Sequence, residues 1–131
     1  MWNARIASVR VGGMRSVSTS VIQRWFTPEF QVAHLETVEA ARSMLEASPV
    51  EGYVSCCTAI RDMDQADAIS RIRVRTLVIA GAQDAVTPPS DARFLVDSIA
   101  GSRLIELSAA HLSNVERPDE FTLALTDFLR S

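Results

Sequence analysis

The chain has 131 residues, 47% hydrophobic and 22% charged, with five Gly and five Pro. This is one globular domain's worth of sequence, and it excludes disordered, collagen-like and disulfide-scaffold chains. All thirteen basic residues are Arg, against sixteen carboxylates, for a net charge of −3. Residues 1–75 hold nine Arg and eight carboxylates (+1), and residues 76–131 hold four Arg and eight carboxylates (−4). Neither half has the basic excess that neutralises a phosphate backbone, so nucleic acid is not the expected partner. No apolar run approaches the roughly 20 residues of a membrane helix. The N-terminus shows no secretory leader either. The expectation is a soluble, cytoplasmic protein with no membrane partner.

The two cysteines, Cys56 and Cys57, are adjacent. Neighbouring residues rarely meet the geometry of a disulfide, and no CxxC pattern suggests a metal. They read as small apolar residues of a helix.

In chain order, the first half is helical. Trp2, Ile6 and Val9 share one side of a helix that Gly12-Gly13 weakens. Val17, Val21 and Trp25 recur at i, i+4 and i+8 in a second helix, which Thr27-Pro28 should end. Leu35, Val38, Ala41 and Leu45 mark a third. Ser48-Pro49-Val50-Glu51 then has the form of a capping box opening a fourth helix, with Tyr53, Cys56, Cys57, Ile60 and Met63 as its apolar face.

Near residue 70 the pattern changes. Thr76–Gly81 is a short apolar run rich in β-branched residues, the signature of a parallel strand buried on both faces. A helix after Pro88-Pro89 carries Ala92, Leu95, Val96 and Ile99 and stops near Gly101. Arg103–Leu107 is a second strand, and a last helix from Pro118 carries Phe121, Leu125 and Phe128-Leu129. Strand, helix, strand, helix with short links predicts an α/β fold with one parallel pair. Such a pair needs cover on both faces and neighbours at its edges. The chain therefore reads as a helical region, 1–70, followed by an incomplete strand–helix–strand–helix core, 71–131.

Each strand ends in a loop with reactive side chains. Gly81-Ala82-Gln83-Asp84-Ala85-Val86-Thr87-Pro88 follows the first, and Ser108-Ala109-Ala110-His111-Leu112-Ser113-Asn114-Val115-Glu116-Arg117-Pro118 follows the second. Ligands meet open parallel sheets at the carboxyl ends of the strands. Asp84 and His111 are predicted there within hydrogen-bonding reach, where a carboxylate fixes the tautomer of an imidazole and stabilises its protonated form. Asp84 also suits the capping of the helix that follows it. His34 reads as a solvated residue at a helix start.

Strand, Gly-x-x-Asp-x-x-x-Pro, helix, strand, Ala-His, then Glu-x-Pro-x-x-Phe resembles the C-terminal part of α/β-hydrolases, with residues 1–70 similar to their helical cap. Within that superfamily the chain resembles the 3-oxoadipate enol-lactonases of bacterial aromatic catabolism. The resemblance lies in Trp2–Ile6, Arg24–Pro28, Glu51–Tyr53 with Cys56-Cys57, Ala59–Asp64 and Ala110–Glu116. It implies hydrolysis of a lactone ester through an acyl-enzyme without metal or organic cofactor, with Asp84 and His111 as catalytic acid and base. It also implies a small anionic lactone as substrate. Trp25 is a candidate for the substrate wall, and Arg5, Arg24 and Arg61 are candidates to hold the substrate carboxylate.

One departure from the pattern matters. A serine nucleophile sits on a Gly-x-Ser-x-Gly elbow that precedes the acid and the histidine. None of the five glycines here has a Ser two residues later, and Ser55 and Ser113 lie on no such elbow. Losing the nucleophile of such a triad costs roughly a millionfold in turnover. The expectation is therefore the C-terminal half of a hydrolase, inactive alone. Its partner would be the missing N-terminal half, or a second copy through self-association. The competing expectations are a non-catalytic remnant that binds a small acid or a protein, and a fragment of another α/β-hydrolase esterase.

Overall fold

A computed structural model describes residues 1–131 throughout. The elements run α1 (Trp2–Gly12), α2 (Arg15–Trp25), α3 (Pro28–Ala33), α4 (Leu35–Glu46), α5 (Val50–Asp62) and α6 (Ala66–Ile69). They continue with β1 (Leu77–Gly81), α7 (Pro89–Ser98), β2 (Arg103–Leu107), α8 (Ser113–Glu116) and α9 (Pro118–Arg130). No helix is long and apolar enough to cross a membrane.

The chain divides into two compact units. The first comprises residues 1–23 and 31–64, and the second comprises residues 24–30 and 65–131. In the first, Ile6 and Val9 of α1, Val17, Val21 and Ile22 of α2, Val38 and Leu45 of α4, and Val54 and Cys57 of α5 are buried. Ser18 is buried with them; its hydroxyl donates to Glu46 Oε1 at 2.8 Å, so the burial leaves no polar atom unpaired.

Two expectations about α5 need correction. Ser48 does not cap it: the N-cap is Pro49, no side chain caps the helix, and the Ser48 hydroxyl turns back to the Met44 carbonyl of α4. The buried face is Val54 and Cys57, whereas Cys56, Ile60 and Met63 are exposed. One turn of spacing carries that face, and α5 packs against α1 with it. Leu35, counted on the stripe of α4, is likewise exposed.

The second unit is the α/β part. β1 and β2 pair in parallel, from Leu77 opposite Arg103 to Gly81 opposite Leu107. α7 is the connection between them, and it packs on both strands, as does α9. Gly101 takes φ +74° in the link from α7 to β2, a left-handed turn that a side chain would strain. The short helices α3, α6 and α8 have too few residues to show a period and escape prediction from pattern. The buried residues of this unit are mostly small: Ala80, Ala92, Ala109 and Ala110, with Phe26, Ile99 and Leu107. β1 pairs with β2 alone, leaving its other edge unpaired. Phe94, Leu123, Leu125 and Leu129 are exposed.

Candidate active site

Both reactive loops leave the same end of the parallel pair, because parallel strands put their carboxyl ends side by side. Backbone hydrogen bonds then hold the loops to each other. Ala82 N–H donates to the Leu107 carbonyl at 2.8 Å, and Gln83 N–H to the Ala109 carbonyl at 2.9 Å. The crossing is close enough to require glycine at position 81. A Cβ there would stand 2.0 Å from the Ala110 oxygen and 2.6 Å from the Ala109 oxygen, inside any permissible contact.

This crossing brings Asp84 and His111 together, with His111 Nδ1 at 2.8 Å from Asp84 Oδ2. The Asp84 side chain is 6% exposed and that of His111 is 30% exposed. The carboxylate is satisfied on both oxygens. Oδ1 accepts the Val86 and Thr87 amides at 2.7 and 3.0 Å, and Oδ2 accepts the Thr87 hydroxyl at 2.8 Å beside His111. Asp84 shapes the turn before α7 and faces the imidazole, but it does not cap the helix: the N-cap of α7 is Pro88 and no side chain caps it.

Burial alone would push the Asp84 carboxyl up. The hydrogen bonds from His111, from the Thr87 and Val86 amides and from the Thr87 hydroxyl outweigh burial and hold it below its ordinary value. At neutral pH Asp84 is therefore an acceptor only. Nδ1 of His111 must be the donor, which leaves Nε2 as the free basic nitrogen.

Beside the pair lies a cavity of about 400 Å³. Val78 to Gly81 of β1, Phe94 and Leu95 of α7, and the Asp84, Thr87 and His111 side chains are among its walls. It is an apolar recess with the polar pair at one side, the usual composition of a small-molecule site.

Sequence reasoning did not single out two further residues. Thr87 gives Asp84 both its amide and its hydroxyl. A polar residue three after a loop aspartate is the turn signal that marks it. Glu116, noted only as part of a motif, is 7% exposed and accepts two backbone amides, Ala110 N–H and Thr27 N–H, each at 2.5 Å.

Other candidates fall outside this cluster. Trp25 is half-buried and joins the region through its backbone carbonyl, which accepts the Leu112 amide at 3.0 Å; its side chain is not part of the cavity wall. Arg61 is committed: its fork takes Asp62 at 2.7 and 2.8 Å, and its remaining arm donates to Asn3 Oδ1 at 2.8 Å. Arg5 lies 5.2 Å from the ring centre of Trp2, in cation–π contact. It also neighbours the Tyr53 hydroxyl, whose proton affinity burial raises and Arg5 partly lowers. Ser113, by contrast, lines the cavity beside His111; it is buried at the start of α8.

No family model matches the chain. The chain is 42% identical over 124 residues to 3-oxoadipate enol-lactonase 2 of Acinetobacter baylyi, covering 95% of this chain and 46% of that protein. The solved enol-lactonase of Burkholderia xenovorans LB400 is 36% identical with a TM-score of 0.98, covering all of this chain and 50% of that one. MGS-M2, an α/β-hydrolase from a Medee basin deep-sea metagenome library, is 19% identical and shares the fold, with a TM-score of 0.79 over 99% of this chain and 48% of that one. The chain has the α/β-hydrolase fold over about half the length of those structures. In sequence it is similar to the 3-oxoadipate enol-lactonases, and it spans about half the length of the curated relatives it matches.

Proposed function

We propose that this chain carries the base and the orienting acid of a serine-type lactone hydrolase acting on 3-oxoadipate enol-lactone. The observation that supports this most is the 2.8 Å contact between Asp84 and His111, two residues just past neighbouring parallel strands. The nucleophilic serine belongs to an N-terminal half that this chain does not contain. In the assembled enzyme His111 Nε2 takes the serine proton as the serine oxygen attacks the lactone carbonyl. The imidazolium so formed is held by Asp84 and returns the proton to the departing ring oxygen. His111 then draws a proton from water, whose oxygen attacks the acyl ester and releases the dicarboxylate and the serine.

The surface for that half is the open edge of β1 together with the exposed Phe94, Leu123, Leu125 and Leu129. Unpaired strand edges and apolar patches of this kind seek partners. Alone, the chain is inactive and self-associates.

The test is to produce this chain together with the N-terminal half of a related enol-lactonase and follow lactone hydrolysis. The reconstituted protein hydrolyses the enol-lactone faster than simple aryl esters, and His111→Ala or Asp84→Asn removes the activity. Full activity with both substitutions overturns the assignment. A preference for aryl esters makes the protein an esterase of another kind.

A further inference from the structure

Glu116 is a buried carboxylate held without a cation. Its two oxygens go to two different stretches of backbone: Oε1 accepts Thr27 N–H and Oε2 accepts Ala110 N–H, both at 2.5 Å. Ala110 is the residue before His111, and Thr27 stands at the corner between α2 and α3. Both belong to the second unit. Eighty-nine residues separate Glu116 from Thr27, so this is a tertiary tie and not a local turn.

A second bond spans the same two stretches on the other side of His111, from Leu112 N–H to the Trp25 carbonyl at 3.0 Å. Glu116 itself is fixed by its own amide, which donates to the Leu112 carbonyl at 3.0 Å across the single turn of α8. The opposite side of the Ala109–Ala110 backbone is closed by Gly81. The backbone that carries the imidazole is therefore gripped from three directions. The Glu116 side chain joins it to the corner at residues 24–30.

We infer that Glu116 is the positioning residue of the His111 loop, and that it couples the placement of the imidazole to that of the corner at Thr27. It touches no reacting atom and acts through the Ala110 amide. A carboxylate suits the role because it offers two acceptors and no donor, and because charge-assisted bonds to amides are strong. A carboxamide of the same shape would turn an N–H toward one of the two amides. The inference rests on His111 being the base only for its consequence in catalysis; the coupling itself is a property of this chain.

The experiment is amide hydrogen exchange by NMR on the 131-residue chain and its Glu116→Gln variant, with the His111 Nδ1 proton signal recorded alongside. Exchange at both Ala110 and Thr27 is expected to accelerate at least about tenfold, since a charge-assisted bond is lost. Amides of the β1–β2 pair keep their rates, and the His111 Nδ1 proton signal broadens or disappears. If only one of the two amides accelerates and the His111 signal stays sharp, the bonds are independent and the coupling is wrong. Should the variant not fold, exchange in the unmodified chain decides: Ala110 and Thr27 open together with one rate if coupled, and with unrelated rates if not. Neither outcome depends on catalysis, so failure here leaves the hydrolase assignment standing, and the reverse holds too.

Discussion

Gly81→Ala probes the crossing that sets the whole site. The new Cβ would lie 2.0 Å from the Ala110 oxygen, 2.6 Å from the Ala109 oxygen and 2.8 Å from the Ala110 carbonyl carbon. All three are backbone atoms, so no flexible side chain can yield, and the loop must retreat by about 1.5 Å to restore ordinary contact. Ala109 and Ala110 are buried, and the retreat pulls on two bonds: Gln83 N–H to Ala109 O, and Ala110 N–H to Glu116. The first is worth about 1 kcal/mol and the second, to a charged group, about 1.5–3 kcal/mol. Overpacking adds about 1–3 kcal/mol. The sum is about 3.5–7 kcal/mol, a large share of the roughly 5–15 kcal/mol that holds a domain together. Urea unfolding reads it directly: with a slope of about 2 kcal/mol per molar, the midpoint falls by about 1.75 M or more. Gly52→Ala is the matched control. Its Cβ would meet only Pro49 Cβ at 3.9 Å, and in the first turn of α5 alanine should be neutral or stabilise by up to about 1 kcal/mol. A Gly81→Ala chain that unfolds within about 0.5 kcal/mol of the parent would refute the reasoning, since that is the scatter of harmless surface changes.

Thr87→Val removes one donor from Asp84 Oδ2 and should cost about 1 kcal/mol in urea unfolding, with Thr87→Ser restoring most of it. Asp84 is held below its ordinary value of 3.8 in the folded chain, so its ionised form favours folding. That stabilisation is complete above the ordinary value and is lost as pH falls through the lowered folded one. The urea midpoint therefore drops on acidification below about pH 4, and Asp84→Asn flattens that part of the curve. Arg75→Ala removes the bond from its guanidinium to the Phe128 carbonyl and the cation–π contact at 4.8 Å, so amides in the last turn of α9 should exchange several-fold faster.

The parallel pair was legible because its strands are short apolar runs closed by turn signals, and Arg103–Leu107 matches β2 residue for residue. Asp84 and His111 were legible for a related reason. A residue just past a parallel strand has few places to go, and two such residues on paired strands meet. Glu116 shows the opposite case. Its partners are main-chain amides, one of them 89 residues away, and an N–H carries no side-chain label in sequence. Thr87 was within reach of turn chemistry, but its hydroxyl bond depends on the rotamer. The Ser48 capping box failed because its pattern is shared by a serine that bonds back to the preceding helix, and only the backbone decides between the two. Ile60 and Met63 failed because apolar residues also occur on exposed faces, and periodicity does not record what lies opposite.

The account turns on Asp84 fixing the imidazole so that its outer nitrogen is the basic one. The decisive measurement is the 15N spectrum of the His111 ring near neutral pH, in the unmodified chain and in Asp84→Asn. In the unmodified chain, neutral His111 should be protonated at Nδ1 with Nε2 bare, and the substitution should move the proton to Nε2. A neutral ring protonated at Nε2 in the unmodified chain, or the same spectrum in both proteins, would contradict it.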